Sequence, residues 1–223
     1  MNNRLTKTAV LAVAALALTG CSQHPGSAAV IGSHSISIAQ VDDVARGLCS
    51  ANTHGGSGVT NLPSRGARVA ALAVMLDSEL SREFGAAKHV RPDEEQVSKV
   101  QAAQEVNVRL LPASEQPPMR AWLKTYAEGQ QMLQTIGKAS LRSQGQTKIT
   151  STQAIAEGSR LRKIFAKHIT ISIDPRFGVW SNGTVRFTSG SVSVAQSARA
   201  VLGDKADPSS VWSATLPPSQ TCG

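Results

Sequence analysis

Hydrophobic residues recur every three or four positions over most of this chain. The clearest stretch is 65–87, whose apolar residues share one helical face: Val69, Leu72, Leu76, Leu80 and Phe84. Stretches 92–111, 120–141 and 153–168 have the same period, and a shorter one that includes Val44 follows residue 37. Ala103 and Ile164 are expected to face inward, Glu79 to lie on a solvated surface, and the glycine-containing residues 50–64 to form a loop. We therefore predict a mainly α-helical fold.

Polar residues indicate where these helices begin. Ser37 with Gln40 three residues later is a capping-box pattern, and Pro92 with Asp93 marks a second start. Prolines 112, 117 and 118 should interrupt the chain before the next helix. Gly129 and Gly137 lie within that helix, so a bend or an early end is expected there.

Short alternating segments predict a small β element. Stretches 28–32 and 35–38 suggest a strand, a turn and a return, and Ile169, Ile171 and Ile173 alternate with polar residues. The Asn182-Gly183 pair between apolar segments favours a hairpin. Residues 189–223 show little period, and we expect an extended, partly mobile tail.

The first twenty residues have the layout of a secretory signal. Arg4 and Lys7 precede an apolar run at 9–18, which is about half the length of a membrane-spanning helix. The Leu18-Thr19-Gly20-Cys21 stretch then resembles a bacterial lipobox, which implies cleavage before Cys21 and diacylglycerol on its thiol. Residues 21–27 would form a tether. The alternative is an ordinary signal with a coincidental cysteine.

The net charge excludes few classes of binding partner. The signal holds 20 of the 223 residues and two cations, so the mature chain would keep 203 residues and a formal charge of +6 rather than +8. Anionic lipid or wall polymers could attract it, or the charge could serve solubility alone. Nucleic-acid binding is not expected, because no basic patch alternates with aromatic residues. The cations that cluster locally are Arg160, Arg162, Lys163 and Lys167.

The cysteine count predicts a disulfide. Of three cysteines, Cys21 would carry lipid, which leaves Cys49 and Cys222 as a pair in an oxidising compartment. Their bond would tie the C-terminal tail to the first helix. The alternative is two free thiols. No histidine is spaced to form a metal site with either of them.

Several segments together resemble one family. These are 29–32 followed by 38–41, the helix at 76–84, the restart at 90–97, and the sharpest, Asp174-Pro175-Arg176-Phe177-Gly178-Val179-Trp180 after a strand. Residues 28–180 are thus similar to actinobacterial lipoproteins with a SurA N-terminal-like domain, related to the SurA and PrsA folding factors. The resemblance implies a helical body over which an early strand pairs with a late one. Residues 181–223 would add a hairpin and a tail.

The same resemblance implies a function. Its members often carry a parvulin prolyl-isomerase domain, but this chain has only the short connection 143–152 at that place. The implied activity is an ATP-independent chaperone for unfolded exported polypeptides, lipid-anchored on the extracytoplasmic face of the membrane. An adaptor lipoprotein that binds one folded envelope partner is the first alternative. An unrecognised isomerase using His89 or His168 is the second.

Three residues are candidates for client binding. Trp122 and Tyr126, one helical turn apart, could line a client groove or share a core position. Arg176 could bind a client carboxylate, or it could anchor the turn that contains it to a neighbouring carboxylate. His168 reads as the cap of a helix end. No nucleophile motif occurs and the histidines are far apart, so we expect no catalytic residue, metal or cofactor.

Overall fold

The computed structural model describes residues 26–54, 62–181, 183–186 and 210–222. The predicted mainly α-helical class is confirmed. Within the described ranges, the long helices are α1 (Ile38–His54), α2 (Ser64–Ala87), α3 (Glu94–Val108), α4 (Gln116–Ser143) and α5 (Ser151–Phe165). The short helix α6 covers Ser210–Ser213.

The strands are short and antiparallel. They are β1 (Ser27–Ile31), β2 (His34–Ser37), β3 (Leu62–Pro63), β4 (Ile171–Ile173), β5 (Val179–Ser181), β6 (Thr184–Arg186) and β7 (Thr221–Cys222). A three-stranded sheet has the order β2-β1-β4, and β5 pairs with β6 in the predicted hairpin. Ala29 lies opposite Ile173, and Ile31 lies opposite Ile171. The expected pairing of an early strand with a late one is thus confirmed.

Polar side chains cap the helices where the sequence placed the starts. At α1, the Ser37 backbone N–H donates to Gln40 Oε1 at 2.8 Å, and the Gln40 N–H donates to Ser37 Oγ at 3.1 Å. At α3, the Asp93 carboxylate accepts from two backbone N–H groups. These bonds satisfy donors that the first turn of a helix leaves free.

The core follows the predicted helical faces with three exceptions. In α2, the predicted inward residues Leu72, Leu76, Leu80 and Phe84 are buried. Near the start of α2, Ala67 and Ala71 take the inner positions and Val69 is only half-buried. In α5, Ile164 was expected inside and is 46% exposed, because Arg162 occupies the inner face. In α3, Ala103 is exposed.

Helix α4 differs from its prediction at both ends and in its middle. It begins at Gln116, so Pro117 and Pro118 lie in its first turn, where a missing N–H costs no hydrogen bond. It runs unbroken past Gly129 and Gly137 to Ser143, so the early end expected at these glycines is wrong. These glycines instead let neighbouring helices approach: a Cβ at Gly129 would lie 2.9 Å from Ser81 Cβ on α2.

The C-terminal segment is more ordered than the sequence suggested. Residues 210–222 contain α6, a 3-10 turn at Pro218–Gln220 and β7, which pairs with β3. The remainder of the predicted tail, 189–209 and Gly223, lies outside the described residues. So do Phe187 of the predicted hairpin and residues 55–61 of the predicted loop. Helix α1 continues to His54, so residues 50–54 are helical where a loop was expected.

Candidate binding cleft

An open cleft of about 150 Å³ lies where β2, α1, α2 and α4 meet. Trp122 forms part of its wall. We call it the Trp122 cleft, and its described lining is Ser35, Ile36, Gln40, Asp43, Val44, Met75, Glu79, Pro118, Ala121, Trp122 and Thr125. Because four elements contribute, the cleft exists only in the folded chain.

Trp122 connects the core to this cleft. Its half-buried ring packs against the main hydrophobic cluster, and the Tyr126 ring lies 5.9 Å away at an angle of 40°. Tyr126 is 38% exposed. The two rings therefore form a continuous apolar surface from core to solvent, which combines both roles that the sequence left open for this pair.

The indole N–H of Trp122 is buried and has no hydrogen-bond partner within the described residues. Buried Trp N–H groups usually find an acceptor, because an unpaired buried donor costs about 1–3 kcal/mol.

The rim of the cleft carries two carboxylates. Asp43 is paired with Arg46, and Glu79 accepts from Arg82 at 3.2 Å. Both pairs join residues three apart on one helix, so each arginine neutralises its acid locally. The cleft is therefore amphipathic, with apolar walls and polar but charge-balanced edges.

A buried carboxylate fixes α4 against α2 near the cleft. Glu128 is 7% exposed, forms an ion pair with Arg82 at 3.0 Å and accepts a hydrogen bond from Lys124. The hydrogen bond to Glu128 raises the pKa of Lys124. Since Arg82 also pairs with Glu79 on the rim, this network holds the α2 and α4 walls in one relative position.

Arg176 lies elsewhere and does not line the Trp122 cleft. Its guanidinium donates to Asp174 Oδ2 at 2.6 Å, which raises the pKa of Arg176 and lowers that of Asp174. Asp174 also caps the 3-10 turn by accepting from the Arg176 backbone N–H. The structure thus favours the turn-anchoring alternative over a free client-binding cation.

The two cysteines predicted to pair are joined as a disulfide. Their Cα atoms lie 5.1 Å apart across a sequence separation of 173 residues. The bond ties α1 to β7, which in turn pairs with β3 ahead of α2. A second cleft of about 420 Å³ lies beside it, lined by charged residues that include Asp42 and Arg68.

Two of the described histidines were candidates for prolyl isomerisation. His89 and His168 are both exposed, at the ends of different helices. Across the described residues, no three His, Cys, Asp or Glu side chains are grouped to hold a metal ion. No described helix is both long and apolar enough to cross a membrane. Cys21 lies outside the described residues.

The sequence predicted that Trp122 could line a groove, but it did not predict the other walls of the cleft. Val44 was predicted to face inward, and Glu79 was assigned to a solvated surface. Both line the cleft, together with Met75 and Pro118. Helical period identified inward faces, but only the packing of three helices and a strand shows where those faces leave a gap.

Comparison with known proteins identifies no relative. No protein-family model, no curated protein and no solved structure matches this chain. The family resemblance therefore stays a prediction.

Proposed function

We propose that this protein is a lipid-anchored, extracytoplasmic, ATP-independent chaperone that binds unfolded exported polypeptides in the Trp122 cleft. The observation that carries this proposal is the surface formed by Trp122 and Tyr126, which runs from the core to solvent along an open cleft. Unfolded chains expose apolar side chains next to free backbone carbonyls. A cleft with apolar walls and polar edges suits that combination.

The size of the cleft bears on how a client would bind. About 150 Å³ accommodates one large side chain and not a long segment. Binding through one anchor is weak and tolerant of sequence, as a holding chaperone requires. The lipid on Cys21 would keep such a weak binder close to chains that emerge from the membrane.

The small cleft also supports a second candidate, an adaptor that binds one folded envelope partner. The Asp43–Arg46 and Glu79–Arg82 pairs present a fixed pattern of charge beside a pocket for one side chain. Such a pattern suits one complementary surface. An adaptor would bind one partner tightly, whereas a chaperone would bind many unrelated unfolded chains weakly.

The proposal excludes prolyl isomerisation by His89 or His168. A tetrapeptide isomerisation assay tests this directly, and the expected rate is the uncatalysed one. A faster rate that disappears in the His89→Ala or His168→Ala variant would revive the isomerase alternative.

Aggregation of unfolded clients tests the chaperone proposal. The chain from residue 21, with Cys21→Ser, is added at rising ratio to several chemically unfolded proteins while light scattering is recorded. We expect suppression of scattering for unrelated clients without nucleotide. No suppression for any client would contradict the proposal and favour the adaptor.

Variants locate the binding surface in the same assay. Tyr126→Ser removes exposed apolar surface beside the cleft, and Ala121→Trp places an indole at its wall. Both should weaken suppression. Leu110→Ser is the matched control, because Leu110 is 61% exposed and lies outside the Trp122 cleft. An equal loss of suppression in the control would show that suppression depends on non-specific contact with exposed apolar residues.

A further inference from the structure

The β5–β6 hairpin presents a distinct outer face. Trp180 and Val185, which lie opposite each other, pack against the main core. Alternate residues of a strand point to opposite sides, so the neighbouring pair Val179 and Arg186 faces outward. Val179 is 43% exposed, which makes it one of the few large exposed hydrophobic residues in the described chain.

The turn of this hairpin lies against the end of α5. A Cβ at Gly183 would lie 3.7 Å from Lys163 Cγ. Lys163, Ile164 and Lys167 are exposed in the last turn of α5 and just beyond it. Arg162 points the other way, where it bonds Asp77 at 2.5 Å and Ser81 at 2.7 Å. The cationic cluster in the sequence is thus divided between the core and this surface.

We call this surface the hairpin face and define it by five residues: Lys163, Ile164, Lys167, Val179 and Arg186. Within the described part of the chain, its three cations have no ion-pair partner. Many other arginines do: those at positions 46, 68, 82, 109, 120, 160, 162 and 176 each pair with a carboxylate. Unpaired positive charge beside exposed Ile164 and Val179 suits an anionic, partly apolar partner.

The point where the chain enters the fold lies beside the segment that leads into the hairpin. The Gly26 carbonyl accepts from the Ile38 N–H at 2.9 Å, and the Asp174 N–H donates to the Ala28 carbonyl at 2.9 Å. The turn after Asp174 leads directly into β5. Five Cα–Cα steps separate Cys21 from Gly26, so a tether between them reaches at most about 18 Å.

We propose that the hairpin face docks on the anionic lipid headgroups of the membrane to which Cys21 anchors the chain. This rests on the lipid anchor of the proposed function. The cations would contact headgroup phosphates, while Ile164 and Val179 enter the interface between headgroups and acyl chains. Docking would fix which side of the molecule faces the membrane.

Vesicle binding of the lipid-free chain tests the docking. The chain from residue 21 with Cys21→Ser is suitable, because every described element begins at Ser27 or later. It is co-sedimented with vesicles of phosphatidylcholine alone or with phosphatidylglycerol. We expect binding to the anionic vesicles that weakens with salt and little binding to the neutral ones.

Two triple variants locate the contact. The first replaces the cations of the hairpin face by alanine: Lys163, Lys167 and Arg186. Each lysine or arginine near an anionic membrane strengthens binding about fivefold, so the triple variant should lose about a hundredfold in partitioning.

The control removes the same charge from three exposed residues at the opposite end of the α4–α5 pair: Lys138, Arg142 and Lys148. That end lies about 18 Å from Lys163 along the α5 axis, since a helix rises about 1.5 Å per residue. The control should lose only a few-fold. Circular dichroism checks that both variants fold.

Two results would overturn the docking proposal. One is no preference for anionic vesicles, and the other is an equal loss in both triple variants, which would indicate attraction through net charge alone. Neither result depends on lipidation of Cys21. Failure of the anchor is detected separately, as absence of labelled fatty acid on the wild-type chain in cells.

Discussion

Gly137 of α4 lies so close to Ala154 of α5 that a Cβ at position 137 would overlap the Ala154 carbonyl oxygen. Gly158 approaches the Leu133 carbonyl in the same way from the other helix. Backbone atoms cannot move aside as a side-chain end can. The two helices therefore pack at a distance that only glycine permits at these positions.

Gly137→Ala should destabilise the protein by about 1–3 kcal/mol, although alanine is the better helix former by about 1 kcal/mol. Equilibrium urea unfolding measures the change. Gly47→Ala is the matched control, because the atoms nearest to a Cβ there belong to the Met119 side chain and not to backbone. If Gly137→Ala were as stable as wild type, the close approach of α4 and α5 would be wrong.

Arg162 should matter more for stability than its charge suggests. It is 6% exposed and its guanidinium bonds Asp77 and Ser81 of α2. Arg162→Ala should cost about 2–4 kcal/mol, because it removes the link from α5 to α2 and leaves a cavity. Arg162→Met should recover most of the loss by refilling that space. Thermal unfolding of the two variants separates packing from charge, and equal losses would contradict this account.

The Cys49–Cys222 bond should stabilise the fold by lowering the conformational entropy of the unfolded chain. It closes a loop across 173 residues, and on the chain-entropy model such a bond contributes up to about 5 kcal/mol. We expect a lower urea midpoint for the Cys49→Ser/Cys222→Ser double variant. Reductant should lower the wild-type midpoint and leave the double variant unchanged. A wild-type midpoint insensitive to reductant would contradict this prediction.

Acid should weaken the link between α3 and α4. The hydrogen bond from Arg120 is the main cause that lowers the pKa of Glu105 from 4.5 to about 2. A lowered folded pKa means stability that is full above pH 4.5 and is lost as pH falls from 4.5 through about 2. Glu105→Gln should therefore flatten the fall in unfolding free energy over this window. Chemical denaturation at several pH values measures it, and an unchanged slope would show that the pair contributes nothing.

Local order could be predicted well from this sequence because its signals are local. The Ser37–Gln40 cap, the Asn-Gly hairpin and the apolar face of α2 each depend on residues a few positions apart. Pairing of β1 with β4 followed from the family resemblance. These features needed no knowledge of how the helices pack.

Features set by distant contacts could not be predicted in the same way. Helical period does not distinguish a glycine that bends a helix from one that admits another backbone, as at Gly137. It also placed Ile164 inside, because the pattern could not show that Arg162 finds Asp77 on another helix. The Trp122 cleft was half predicted for the same reason: Trp122 and Tyr126 are neighbours on one helix, but the other walls come from distant segments.

Fluorescence of Trp122 tests the central claim most directly. In the chain from residue 21 with Cys21→Ser, Trp180→Phe and Trp212→Phe leave Trp122 as the only indole. A permanently unfolded, tryptophan-free polypeptide is then titrated against it.

We predict a saturable change in Trp122 emission at the concentrations that suppress aggregation, and its loss when Tyr126→Ser is added. Suppression of aggregation without any change in Trp122 emission would contradict the claim that clients bind in the Trp122 cleft.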